Sequence, residues 1–153
     1  MQLRLIAVGK IRESYLQELA TDFRKRLRPF YHLEEIEIKP ADGSDPANAI
    51  ESEGERIAKH IAPNDQVWLL ERRGSALTSE TLAERVAAVQ DSGVSRFTLI
   101  VAGTYGASKS LMGRADFLWS LSTLTFLHEW ARVIVLEQLY RAAKINRNEP
   151  YHH

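Results

Sequence analysis

Near the start of the chain Leu3, Leu5 and Ala7 alternate with other residues and the run ends at Gly9, which predicts a short strand over 2–8 and then a turn. From Ser14 the period lengthens. Tyr15, Leu16, Leu19, Phe23 and Leu27 recur at three- and four-residue steps until Pro29, so a helix capped by Ser14 is expected. Ile36 and Ile38 alternate with Glu35, Glu37 and Lys39, the pattern of a strand with one solvated face, and Pro40 to Pro46 reads as a loop. Ile50, Gly54, Ile57, Ala58 and Ile61 mark a second helix. Val67-Trp68-Leu69-Leu70 is an unbroken apolar run bounded by Asn64-Asp65 and Gly74, as in a strand buried on both faces. A third helix is expected from Thr78 or Ser79 through Leu82, Val86 and Val89, with Gly93 in a left-handed C-terminal position. Phe97 to Ala102 is the most strand-like run, Phe117 onward is another strand candidate, and 129–145 is a helix.

Strands and helices thus alternate, which implies an α/β class with a largely parallel sheet covered on both faces. Ligands in such sheets sit at the carboxyl ends of strands, which directs attention to the segments after Leu70 and Ala102. With 153 residues and neither internal repeat nor linker, a single domain over 1–153 is expected. Apolar residues make up 44% and charged residues 26%, so disordered and low-complexity classes are excluded. The absence of cysteine excludes disulfide scaffolds, thiol catalysis and Cys-held metals. No apolar run is long enough to span a membrane, and the first residues lack a secretory pattern; the expected location is the cytoplasm. Twenty Lys plus Arg balance twenty Asp plus Glu, so any contact with nucleic acid must rest on local patches such as the basic residues of 10–28.

Gly103-Thr104-Tyr105-Gly106 comes directly after the strand ending at Ala102. The fifth residue after Gly103 is Ser108, so the spacing of a P-loop is not met, and Gly-x-Gly-x-x-Gly is absent too. Two glycines three apart either let a ligand approach bare backbone or serve an ordinary turn needing positive φ. Further on, Leu121-Ser122-Thr123-Leu124-Thr125-Phe126 mixes hydroxyls with large apolar side chains. The choices are a core strand continuing through Phe126 or a buried loop whose amides need partners. In the helix 129–145, Ala131, Val135, Leu139 and Ala142 form the expected core stripe. Trp130, Val133, Ile134, Tyr140 and Ile145 fall outside it, which suggests a homodimer contact or a central core helix. His128, His152 and His153 lack metal-ligand spacing, and no metal site is expected.

Ala-Val-Gly-Lys at 7–10, Ala-Gly-Thr-Tyr-Gly at 102–106, Leu-Ser-x-Leu-Thr-Phe at 121–126, His128, Arg-Val-x-x-x-Glu-Gln-x-Tyr-Arg-Ala at 132–142 and Pro-Tyr-His at 150–152 together resemble the RlmH family. That family belongs to the SPOUT class of S-adenosylmethionine-dependent RNA methyltransferases, and the likeness runs end to end. The resemblance implies an α/β fold with a C-terminal trefoil knot, a homodimer without membrane or DNA partners, and methyl transfer to N3 of a pseudouridine in helix 69 of 23S ribosomal RNA on the assembled ribosome. Carried over by position, it implies a cofactor pocket of Leu70, Ala102, Gly103, Gly106, Leu121, Ser122, Thr123, Leu124, Thr125 and Phe126. Tyr151 and His152 are implied as catalytic with His128 in support, and Arg132, Arg141 and His153 as RNA contacts. Three positions depart from the family pattern, which commonly has Gly-Gly where this chain has Ala102-Gly103, Pro at Leu127 and Arg or Lys at His153. The methyl at Ala102 narrows the pocket, and histidine at 153 replaces a permanent charge with a conditional one. The rival function is a ribosome- or RNA-binding module that keeps the fold without the chemistry.

Overall fold

A computed structural model describes residues 1–43 and 45–152. Its elements run β1 (Gln2–Val8), α1 (Ser14–Leu27), β2 (His32–Ile38), α2 (Pro46–Ala58), β3 (Gln66–Ala76), α3 (Ser79–Asp91), β4 (Arg96–Val101), α4 (Lys109–Arg114), β5 (Phe117–Ser120) and α5 (His128–Asn146). The five strands form one sheet in the order β2-β1-β4-β3-β5, and every pairing in it is parallel.

Crossovers between parallel strands are right-handed, so a chain that reverses its direction of travel along the sheet must also change face. Here the direction reverses at each strand. The helices accordingly alternate: α1, α3 and α5 share one apolar core with Leu3, Leu5 and Leu99, while α2 and α4 share the other with Ile6, Val8 and Ile100. Successive residues of β1 and β4 therefore enter opposite cores, which explains why Leu5 to Val8 and Leu99 to Val101 are apolar without a break. On α1 the buried residues are Leu16, Ala20, Phe23 and Leu27. Each large side chain of such a stripe contributes roughly 2 kcal/mol by leaving water.

Several local expectations change on folding. Ser14 opens α1 as its first residue, and the cap position belongs to Glu13, whose side chain makes no capping bond. α3 is capped as expected by Thr78, whose side chain accepts the Thr81 N–H at 3.1 Å, and Gly93 takes φ +75°. In α2 Gly54 and Ile57 of the expected stripe are buried, but Ile50 is only half-buried and Ala58 exposed, while Ala49 and the carboxylate-bearing Glu53 take the inner face beside them. β3 runs past Gly74 to Ala76 with a register shift between Leu70 and Ser75, so residues 71–74 loop out of the ladder. A β-carbon at Gly74 would meet the Leu118 backbone, which is why glycine stands there. α4, capped by Ser108, has no counterpart among the expected elements.

Candidate active site

All strands point the same way, so their carboxyl ends form one edge. At that edge the expected cofactor residues fall on three adjacent strands: Ala102 and Gly103 after β4, Leu70 within β3, and 121–126 after β5. Leu70 pairs in register with Trp119, one residue before the end of β5. The structure thus brings together positions separated by some fifty residues of sequence.

The two glycines do different things. Gly106 has φ +94° and donates its N–H to the Gly103 carbonyl at 3.0 Å, closing a tight turn. Gly103 is a matter of space: a β-carbon there would collide with the Glu53 carboxylate and crowd Val8. Glu53 is 6% exposed, and its Oε1 accepts the Ala41 N–H at 3.0 Å. With Val8, Gly103, Tyr105 and His128 it lines a cavity of about 140 Å³ where β1 and β4 end. The connections leaving these neighbouring strands run in opposite directions, which makes this the topological switch point of the sheet. Glu53 was missed by sequence reasoning. Its only signal is a carboxylate in register with Ala49 and Ile57, and charge on a helix ordinarily means solvent.

The loop after β5 departs from expectation. The strand stops at Ser120, so the core-strand alternative fails, and the loop is not buried either: Leu124 is 68% exposed and Leu127 71%. Ser120 Oγ ties the loop's base to the Arg72 and Ser122 carbonyls at 3.0 Å each, and Ser122 Oγ accepts the Leu124 N–H at 3.0 Å. Phe126, Trp130, Tyr15 and Leu19 are exposed as well, and Tyr15 and Trp130 lie with ring centroids 6.5 Å apart. Leu124, Phe126 and Leu127 thus remain exposed among the described residues, beyond the carboxyl end of β5.

His128 opens α5 beside Gly9. Tyr151 and His152 lie elsewhere, on the turns around Glu137 and Arg141. The Tyr151 hydroxyl donates to Glu137 Oε1 at 3.1 Å, its ring meets Tyr140 at 4.8 Å, and the Arg141 guanidinium stacks on it at 4.8 Å. Burial, reinforced by Glu137, raises the Tyr151 pKa, so the phenol stays protonated. His152 Nε2 contacts Glu80 Oε1 at 2.8 Å, and its Nδ1 lies 3.4 Å from Arg141. Hydrogen bonds from its own backbone N–H and then from His152 and Thr78 push Glu80 down to about 2. His128 and Arg141 are thirteen positions apart on one helix, a rise of about 20 Å, so a single chain does not unite His128 with the tail.

The arginines expected to hold RNA are otherwise engaged. Arg132 is 4% exposed, with its guanidinium 2.8 Å from Glu35 and 3.2 Å from Glu37. Its charge is spent within the fold, and the β2 face expected to be solvated is the one that neutralises it. Burial alone would raise the Glu35 pKa, but hydrogen bonds from Arg24 and Arg132 outweigh it and the carboxylate titrates low. Arg141 pairs with Glu137 at 2.6 Å and stacks on Tyr151, so it orders the tail. His153 lies outside the described residues. Among the described residues no cluster of three potential metal ligands occurs, and no helix is long and apolar enough to cross a membrane.

Residues 1–152 match the family model described as predicted SPOUT methyltransferase. The chain is 39% identical to "Ribosomal RNA large subunit methyltransferase H" of Halothermothrix orenii, with 99% of each chain covered. It is 42% identical to the protein of the same name from Bifidobacterium adolescentis, again over 99% of each. A solved structure titled as a probable methylase family protein from Haemophilus influenzae superposes with a TM-score of 0.56 at 11% identity, covering 95% of this chain and 68% of that one, a likeness of fold alone. The all-parallel sheet, the glycine turn after β4 and the hydroxyl-rich loop after β5 thus sit in a chain that matches this family from end to end: it belongs to the SPOUT methyltransferase family.

Proposed function

We propose that this protein is an S-adenosylmethionine-dependent ribosomal RNA methyltransferase of the cytoplasm, acting on N3 of a pseudouridine in helix 69 of 23S rRNA in the assembled ribosome. The observation that carries the reading is the convergence of Leu70 at the break in the β3 ladder, Ala102-Gly103 after β4 and Leu121 to Phe126 after β5 on three adjacent strands. The donor set fits an adenosyl group. Apolar Leu121, Leu124 and Phe126 offer surface to a ring, while the hydroxyls of Ser122, Thr123 and Thr125 and an irregular backbone offer polar partners to its edge. In this reading 121–127 is the loop of the implied knot. The half-buried Ala102 adds one methyl to the wall without closing it.

The bound cofactor supplies a methyl group on a sulfonium, a strong electrophile that needs no metal. The protein's tasks are to align the base and to let its N3 proton leave. Tyr151, kept protonated and held by Glu137, Tyr140 and Arg141, forms the firm support beside His152 on which an unstacked base is received. His152 takes the N3 proton on Nδ1, the ring nitrogen that does not face Glu80, as the incoming base displaces the Arg141 contact there, and Glu80 on Nε2 steadies the resulting charge, as carboxylates do for catalytic imidazoles. Arg141 stays stacked on Tyr151. The exposed apolar strip of Tyr15, Leu19, Phe126, Leu127 and Trp130 supports a homodimer, because such a surface on a monomer is costly.

Two measurements test this. Calorimetry should show S-adenosylmethionine binding, and ribosomes lacking the modification should accept methyl groups. His152→Ala should lower turnover by about 100-fold or more with cofactor affinity retained. Unchanged turnover would remove His152 from the mechanism, and a wild-type chain that binds ribosomes but no cofactor would favour the non-catalytic module.

A further inference from the structure

With Arg132 and Arg141 committed inside the fold, the phosphate-binding charge must come from elsewhere. Most arginines of the described chain have intramolecular partners: Arg4 with Glu34, Arg24 with Glu35, Arg26 with Asp22, Arg96 with Asp65 and Arg114 with Asp116. Eight exposed cations are different; Lys25 and Arg28 at the end of α1 and Lys59 after α2 lie on the side where β2 and β3 begin, and the other five lie toward the opposite edge. Of these five, Lys10 and Arg12 follow β1, Arg72 and Arg73 occupy the bulge of β3, and Lys109 follows the β4 glycine turn. None of the eight side chains has a hydrogen bond, ion pair or ring contact among the described residues.

The placement of the five is not scattered. β1, β4 and β3 are consecutive in the sheet, spaced about 4.8 Å per strand, so the cations that follow β1, open α4 beyond β4 and occupy the β3 bulge border the edge that holds the candidate site. Two carboxylates, one near in sequence and one distant, set the backbone that carries the arginines. Glu71 accepts the Arg73 backbone N–H at 3.1 Å, and Glu129 accepts that of Arg12 at 3.0 Å. The Arg72 carbonyl is fixed by Ser120 Oγ at 3.0 Å, and Gly74 lets the bulge close against Leu118. The two guanidinium groups of 72 and 73 therefore stand on a backbone anchored to the base of the 121–126 loop. The one carboxylate of a sulfonium cofactor accounts for one cation beside it at most, whereas a polyanion accounts for several.

We infer that Arg72 and Arg73, flanked by Lys10, Arg12 and Lys109, bind the phosphate backbone of the RNA next to the methylated base. The inference deepens the proposed function, and its test is read from ribosome binding, independently of catalysis. Binding to ribosomes lacking the modification is measured by sedimentation over a range of salt, for wild type, R72A/R73A and R72K/R73K. The double alanine variant should weaken binding about tenfold or more and lower the slope of log affinity against log salt by about 1.5, the loss of two phosphate contacts. The lysine pair should restore most of both, since a point charge suffices for phosphate. S-adenosylmethionine affinity and the unfolding midpoint should stay at wild-type values in all three. An unchanged affinity and slope would overturn the inference. So would equal losses of ribosome and cofactor binding, which would make the bulge a wall of the pocket. Failure of the wild type to bind cofactor would instead count against the catalytic reading and leave the phosphate result standing.

Discussion

Two groups of arginines in this chain read alike in the sequence and do opposite work. Arg132, with Arg24, clamps the carboxylates of β2 and ties α1 and α5 to the edge of the sheet; Arg72 and Arg73 stand in solvent on a bulge. The first group exchanged water for ion pairs and is part of the fold. The second kept its water and remains available to a ligand. What separates them is whether a carboxylate-bearing strand lies under the side chain, and that depends on which strand becomes β1's outer neighbour. The difference is one of burial, and burial decides both magnitude and salt response.

Arg132→Ala is therefore expected to have the largest effect on stability. It leaves Glu35, 14% exposed in its side chain, with only Arg24 to compensate it, at a cost on the order of 3 kcal/mol. Thermal or urea unfolding would show it, and the loss should persist at high salt. Arg72→Ala should leave the same midpoint within about 0.5 kcal/mol. A marginal effect at Arg132 would break the comparison, because it would mean that the clamp is no more than a surface pair.

Gly103→Ala sharpens the same contrast at the site itself. The added β-carbon meets the buried Glu53 carboxylate, and the clash should cost about 1–3 kcal/mol. In a Glu53→Ala background the penalty should shrink, and the double-mutant cycle reads the coupling directly. If the two changes were additive, the penalty would come from Val8 rather than from Glu53. Ala102, one residue earlier, is the informative control, since its methyl is already accommodated.

These contrasts also show where the sequence was legible. β1, α1, α3 and α5 are readable to within a residue or so at most ends, because their apolar periods are long and their stops are Pro29 or Gly93. α4 escapes because six residues are too few to show a period. The face of α2 is misread because Glu53 breaks the apolar stripe at the point where it matters most. Arg132 looks solvated for the same reason in reverse: its partners Glu35 and Glu37 lie almost a hundred residues away, and spacing along one helix cannot reveal them. The apolar side chains of 121–126 predict either a core strand or a buried loop; in the structure Leu121 is half-buried against the core while Leu124 and Phe126 are exposed. That outcome is explained if their cover comes from a cofactor or a second copy of the chain, neither of which is encoded locally.

The smallest expected effect concerns the tail. Glu80 carries a carboxyl held down to about 2, chiefly by its own backbone N–H and then by His152, at an exposed site on the first turn of α3. A carboxyl whose folded pKa lies below its unfolded value, near 4.5, lends its stabilisation above that value and loses it as pH falls toward 2. Docking of 151–152 should loosen in that window and hold firm above it. Glu80→Gln should remove the acid dependence while leaving the global unfolding midpoint in place, because solvent screens an exposed contact. Ring resonances of Tyr151 and His152 followed by NMR report the docking without depending on activity. Against Arg132→Ala the contrast is complete: a clamp whose loss is felt throughout the molecule, and a latch whose loss is felt only by the two residues proposed to meet the base. Should Glu80→Gln lower the midpoint as far as Arg132→Ala, the tail would belong with the scaffold, and the assignment of His152 to proton transfer would lose the local mobility that a group meeting an incoming base requires.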